Sequence, residues 1–213
     1  MLVRPYRAED RERVREIAFE TGYMGEPAAW YWRDAASFAD VWTGYYTDRE
    51  PESAFVAVED GAVAGYLVGC ADTARAPSAS DAIARQVLRR QLLLRPGTAG
   101  FFWRALWDTL RDRGAPSGEL ADPRWPAHLH INLLREARGH GAGRALMTAW
   151  LGRLRQLGVP GCHLGTMAEN TNGIRFFESV GFARHGSPAL VPGMRRREGG
   201  RMHVQLMVQS LAP

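Results

Sequence analysis

His128-Leu129-His130-Ile131-Asn132-Leu133-Leu134-Arg135-Glu136-Ala137-Arg138-Gly139-His140-Gly141-Ala142-Gly143 is the stretch whose reading decides the fold. It opens as a strand. Leu129, Ile131 and Leu133 alternate with His128, His130 and Asn132, so the two sets face opposite sides of a sheet. It closes as a glycine-rich turn. A helix follows, with Ala145, Leu146, Ala149, Leu151, Leu154 and Leu157 near helical spacing. Strand, glycine turn and helix N-terminus together form a geometry that holds a pyrophosphate on backbone N–H groups. The two histidines on the strand are the right residue type for proton chemistry beside it.

Outward from this stretch, the chain reads as alternating strands and helices. Toward the N-terminus, Leu2 to Arg4 predicts a strand and Asp10 to Thr21 a helix stopped by Gly22. An aromatic segment from Tyr23 to Tyr46 predicts a second helix through Ser37 to Tyr46, its rings serving the core or lining an acceptor pocket. Ala54 to Glu59 and Ala62 to Cys70 predict a hairpin around Asp60-Gly61. Residues 74–125 form a long connection with two helical stripes, broken at Pro96-Gly97. Its end, Gly114 to Pro126, reads as a turn-rich loop. Toward the C-terminus, Cys162 to Met167 predicts a strand, and Glu169-Asn170-Thr171-Asn172 caps a helix ending at Gly181. Phe182 to His185 starts another strand. Ser187 to Gly200 reads as a loop bearing Arg195-Arg196-Arg197, and Met202 to Val208 as the last strand. This order requires a parallel or mixed sheet with helices on its faces, an α/β (α+β) class.

The chain has 213 residues, enough for one domain with a substantial core. The expectation is a single domain over 1–213 with a helical insert at about 74–125. The net charge is +4, and all 27 basic residues are arginine, interspersed with acids. No basic run with interleaved aromatics appears, so no nucleic-acid partner is expected. No apolar run spans a bilayer and the start lacks a signal-peptide core, so no membrane partner and a cytoplasmic location are expected. Cys70 and Cys162 lie in apolar strands without zinc-ligand spacing. They read as buried free thiols, and no metal is expected.

Two motifs resemble the GNAT superfamily of acetyl-CoA-dependent N-acetyltransferases. One is Arg138-Gly139-His140-Gly141-Ala142-Gly143, which fits the pattern Gln or Arg, two residues, Gly, one residue, Gly or Ala. The other runs from Asn170 through Phe176-Phe177 to Gly181-Phe182. The resemblance implies the GNAT fold, a mixed central sheet of six or seven strands flanked by helices on both faces. It implies acetyl-CoA as co-substrate. Backbone groups of Ile131, Asn132 and Leu133 would hold the pantetheine arm. Those of Gly139, His140, Gly141, Ala142, Gly143 and Arg144 would cradle the pyrophosphate, with Arg138 and Arg144 adding charge and Asn170 and Phe177 completing the site. His128-Leu129-His130 further resembles the histidine pair of arylalkylamine N-acetyltransferases. Ala127 to Ile131 also resembles bacterial proteins similar to the acetyltransferase-like domain of O-GlcNAcases.

The implied reaction is attack of a neutral amine on the thioester, with His128 or His130 as base and His128 the first choice. The acceptor would be a small-molecule or peptide amine, and the protein a monomer or homodimer. Two residues depart from the family pattern. Phe177 stands where many relatives carry a tyrosine acid, and Gly165 where some carry a glutamate. These departures leave a competing reading, a weak or inactive acetyltransferase-like binding module. The Arg195-Arg196-Arg197 loop would border the acceptor site by the same resemblance. It reads either as a solvated loop or as a binder of acidic groups. His140, His163, His185 and His203 read as structural.

Overall fold

The computed structural model describes residues 1–112 and 120–211. Seven strands form one sheet in the order β1-β2-β3-β4-β5-β7-β6. They are β1 (Leu2–Pro5), β2 (Ala54–Glu59), β3 (Ala62–Cys70), β4 (Ala127–Leu133), β5 (Gly161–Met167), β6 (Ala183–Arg195) and β7 (Arg201–Ser210). The β4–β5 pair is parallel and its neighbours are antiparallel, which makes the sheet mixed. The β2–β3 hairpin turns at Asp60 (φ 49°) and Gly61 (φ 81°), two successive left-handed residues whose twist matches the flanking strands.

The helices are α1 (Arg11–Glu20), α2 (Ala35–Trp42), α3 (Gly44–Arg49), α4 (Ala79–Arg90), α5 (Ala99–Asp112), α6 (Ala142–Gln156) and α7 (Thr171–Ser179). Two apolar clusters cover the two faces of the sheet. One joins Val14, Ile17, Phe38 and Tyr46 to the β2–β3 hairpin. The other joins Leu146, Trp150, Leu154, Ile174 and Phe177 to Leu129 and Leu164. The alternation along β4 therefore sends its leucines to α6 and its histidines to the α1–α3 side.

Two boundaries differ from expectation. The helix predicted over Ser37 to Tyr46 is two helices, α2 and α3, interrupted at Thr43 (φ −130°). Thr43 and Thr47 both return their hydroxyls to carbonyls four residues back, a bond that competes with regular helix geometry. The break re-aims Tyr45 and Tyr46. The loop predicted over Ser187 to Gly200 is mostly strand, because β6 continues to Arg195. Pro188, Pro192 and Gly193 read as loop residues, yet β6 is the sheet edge, where Pro is tolerated and irregular register is common. Of the turn-rich loop expected over Gly114 to Pro126, residues 114–119 lie outside the described part.

Candidate active site

β4 carries a polar row on its α1–α3 face. His128 is 4% exposed, while His130 and Asn132 are partly exposed. The Tyr46 hydroxyl sits between the histidines, 2.7 Å from His128 Nε2 and 3.0 Å from His130 Nε2. His128 Nδ1 lies 2.7 Å from Thr73 Oγ1. Asn132 Nδ2 donates to Thr21 Oγ1 at 2.6 Å, and its Oδ1 accepts from Tyr66 at 3.2 Å. Burial pushes both imidazoles down: His130 to about 4, and His128 well below the usual histidine value, with neighbouring imidazoles adding to the effect. Both are therefore neutral at neutral pH.

His163, read as structural from sequence, belongs to the same cluster. It lies opposite His128 across the β4–β5 pair, ring centroids 5.8 Å apart, and its Nδ1 donates to the Trp125 carbonyl at 2.8 Å.

Beyond this point the sheet opens. β4 and β5 pair only at Ala127–Cys162 and His128–His163, although both strands continue. Ladder parity decides what faces the gap. The Leu134 N–H bonds Ala64 on the β3 side, so Asn132 and His130 also direct their backbone groups to β3. Ile131 and Leu133 direct theirs into the gap. The structure therefore separates Asn132 from the arm-binding backbone expected of it. Its backbone pairs with Tyr66, and its side chain ties β4 to α1.

The glycine turn follows. Gly139 (φ 82°) and Gly141 (φ 84°) take left-handed conformations that side chains rarely adopt. A Cβ at either would meet nothing within 4 Å, so both face open space. Gly141 caps α6 without a side-chain hydrogen bond, and the first turn of α6 holds no acid. The first turn of α6 thus has neither a side-chain cap nor an acid at its N-terminus, and the glycines leave open space beside it, a setting that suits a pyrophosphate. Gly143 has a different reason, since a Cβ there would lie 3.0 Å from Phe176. It permits α6 to pack against α7. Arg144 is exposed and reaches Ser179. His140 is exposed, 3.6 Å from Glu59. Arg138 is committed to backbone carbonyls, those of Leu133 and Gly25, rather than to open solvent.

Asn170 caps α7, its Oδ1 accepting the Gly173 N–H at 3.0 Å. Phe177 is buried in the α6–α7 core against Phe176 and Phe182.

A cleft of about 380 Å³ lies between the loop after α1 and the β6–β7 turn. Tyr23, Met24, Glu169, Arg196, Arg197 and Glu198 line it. Tyr23 lies two residues after Thr21, the partner of Asn132, and Glu169 lies two residues after the end of β5. The expected arginine trio divides. Arg195 is in β6 and pairs with Asp108, whereas Arg196 and Arg197 reach the cleft. Glu169 is held by His203 at 3.2 Å and by Arg196 at 3.6 Å. His185 packs on Trp125. Cys70 and Cys162 are buried, unpaired, and pushed up to about 12 chiefly by burial, which keeps both as thiols. Among the described residues no group of three or more His, Cys, Asp or Glu could hold a metal ion. No described helix is long and apolar enough to cross a membrane.

Tyr46, Thr73 and His163 escaped the sequence reading. Tyr46 is 82 positions from His128 and Thr73 is 55, and no local periodicity links them.

The model of the acetyltransferase (GNAT) family matches residues 12–182. A mycothiol acetyltransferase of Nocardiopsis dassonvillei is 37% identical over 94 residues, covering 41% of this chain and 24% of that protein. The match thus spans about a quarter of that curated relative's length. The crystal structure of a protein designated SsHAT is similar with a TM-score of 0.68 and 28% identity, over 100% of this chain and 98% of that one. A GNAT superfamily phosphinothricin acetyltransferase from Sinorhizobium meliloti, in complex with AcCoA, shares the fold with a TM-score of 0.57 and 19% identity, over 99% and 88% of the chains.

Proposed function

Since the chain belongs to the acetyltransferase (GNAT) family, whose members use acetyl-CoA, we propose that it transfers an acetyl group to a primary amine by direct attack, with the β4 histidine pair taking the proton. The observation that carries this reading is the opening of the sheet directly after the His128–His163 pair, beside an uncapped glycine turn.

The coenzyme fits the residues present. Backbone N–H groups from Gly139 to Arg144 would hold the pyrophosphate, and the inward-facing backbone of Ile131 the arm, since the Leu133 carbonyl is taken by Arg138. Acetyl-CoA supplies an acyl group activated as a thioester. The Leu133 N–H, directed into the gap, is available to a developing oxyanion. An alkylamine is mostly protonated at neutral pH, with a pKa near ~10.4, so the site must remove a proton before attack. His130 is the better base of the two. Its side chain has the greater solvent-accessible surface, and a neutral imidazole presents one bare nitrogen. This reverses the order that sequence alone favoured. Asn132 and Arg138 act by holding β4 and the glycine turn in place.

The acceptor would be a small-molecule or peptide amine entering by the cleft of Tyr23, Glu169 and Arg197. The subgroup resemblance carried by His128-Leu129-His130 remains part of this proposal. One observation favours the second reading, a weak or inactive binding module: Phe177 is a core phenyl ring and donates no proton to a departing thiolate.

Titration calorimetry with acetyl-CoA tests the reading. Saturable binding that weakens in Gly141→Val is expected, and absence of binding to the wild-type chain contradicts it.

A further inference from the structure

We propose that Tyr46 and Thr73 are positioning residues that fix the tautomers of the β4 histidines and leave His130 Nδ1 as the bare, basic atom of the site. The proposal rests on the acetyl-transfer reading above.

The chain of bonds ends on an atom that can only accept. The Thr73 hydroxyl lies 2.6 Å from the Pro126 carbonyl oxygen, which also accepts the Thr73 N–H at 2.7 Å. A carbonyl has no proton to give, so the single hydroxyl proton of Thr73 points there. Toward its other neighbour, His128 Nδ1 at 2.7 Å, the Thr73 oxygen can then only accept. His128 therefore carries its proton on Nδ1. Its ring is neutral and deeply buried, so Nε2 is bare and takes the Tyr46 O–H at 2.7 Å. With its own proton directed to His128, the phenolic oxygen accepts from His130 Nε2–H at 3.0 Å. A neutral imidazole has one N–H, which leaves His130 Nδ1 without a proton.

Every bond in the chain thus runs one way, from His130 through Tyr46, His128 and Thr73 to Pro126. The direction is set at the end farthest from His130. The other groups packed around the pair keep it. His163 on β5 donates its Nδ1–H to Trp125. Cys70, opposite His128 on β3, directs its thiol to the Asp72 carbonyl at 3.1 Å. Trp42 on α2 meets the His130 ring edge-on. Protonation of His130 at Nδ1 yields an imidazolium whose second N–H is already bonded to Tyr46, so the new charge is met without rearrangement.

Nitrogen-15 correlation NMR of the full chain labelled at histidine tests this at pH 7.5. His128 is expected as the Nδ1–H tautomer and His130 as the Nε2–H tautomer. Thr73→Val removes the hydroxyl at nearly constant volume. It should release His128 toward Nε2–H and lower amine acetylation at least about tenfold, part of the ~100- to 10,000-fold a general base supplies. Acetyl-CoA affinity should stay unchanged. Thr73→Ser should restore both tautomers and rate, and Tyr46→Phe should lose the His130 preference while keeping the ring packing. Wild-type His128 in the Nε2–H form overturns the proposal, as does a Thr73→Val chain with unaltered tautomers. A chain that acetylates no amine removes the function, whereas the tautomers remain readable and separate the two failures.

Discussion

Arg138 closes the end of β4 by donating from both Nε and Nη2 to the carbonyl oxygen of Leu133, at 3.0 and 2.8 Å. The same Nη2 reaches the Gly25 carbonyl at 2.7 Å, so one guanidinium ties the strand end, the glycine turn and the loop after α1 together. A lysine cannot reproduce this fork. Arg138→Lys is expected to lose about 2 kcal/mol of stability, the scale of hydrogen bonds from a charged donor. It should also weaken acetyl-CoA binding by misplacing the turn. Chemical denaturation and calorimetry on the same variant check both effects. Wild-type values in each would show that the guanidinium is not a brace.

Gly141 is required for its conformation and Gly143 for its contact. Gly141→Ala places a side chain at φ 84° with open space around it, so strain of about 1–2 kcal/mol is the expected cost. Gly143→Ala drives a Cβ toward Phe176 at 3.0 Å and should displace α7. Thermal unfolding should show both losses. A second substitution, Phe176→Leu, should relieve Gly143→Ala and leave Gly141→Ala unrelieved.

Asp108 joins α5 to β6. Its carboxylate, 2% exposed, accepts two bonds from Arg195 at 2.7 and 2.8 Å and the Gly193 N–H at 2.8 Å. Asp108→Ala removes these charge-assisted bonds while the partly exposed Arg195 keeps access to solvent, so a loss of about 1.5–3 kcal/mol is expected. The Arg195 hydrogen bonds hold this carboxyl below its ordinary value. Its contribution is present above the unfolded pKa near ~3.9 and is lost as pH falls through the lower folded value. Denaturation midpoints below about pH 4 should therefore drop in the wild type and change less in Asp108→Ala.

The histidine pair has its own pH window. Folded, His130 titrates at about 4 and His128 well below the ordinary value, both chiefly because their rings are largely desolvated by the packing around them. Unfolded, both return to ~6.5, so below that pH the unfolded chain binds protons that the folded chain does not. Stability is expected to fall as pH drops from about 6.5 toward about 4, above the window of Asp108. Urea midpoints across that range should decline in the wild type and flatten in the His128→Gln, His130→Gln double variant. A flat wild-type profile would mean that the imidazoles are solvated.

The legible parts of this molecule are those whose signals are local. Asp60-Gly61 between two apolar runs, the alternation along β4, and Arg138 to Gly143 ahead of a helical stripe each act within a few residues. β6 was hidden because Pro188, Pro192 and Gly193 carry loop chemistry that an edge strand accommodates. The break at Thr43 comes from hydroxyl-to-carbonyl bonds invisible to periodicity. The setting of His128 was illegible for a different reason. Thr73, Tyr46 and His163 come from three distant segments, and only the folded sheet assembles them.

The measurement that bears most directly on the central claim is release of free coenzyme A thiol from acetyl-CoA across a panel of primary amines, for the wild type and for His130→Ala and His128→Ala. The account predicts amine-dependent release by the wild type, a fall of about 100-fold or more in His130→Ala, and acetyl-CoA affinity within a few-fold of wild type in that variant. Undiminished release in both histidine variants would contradict it.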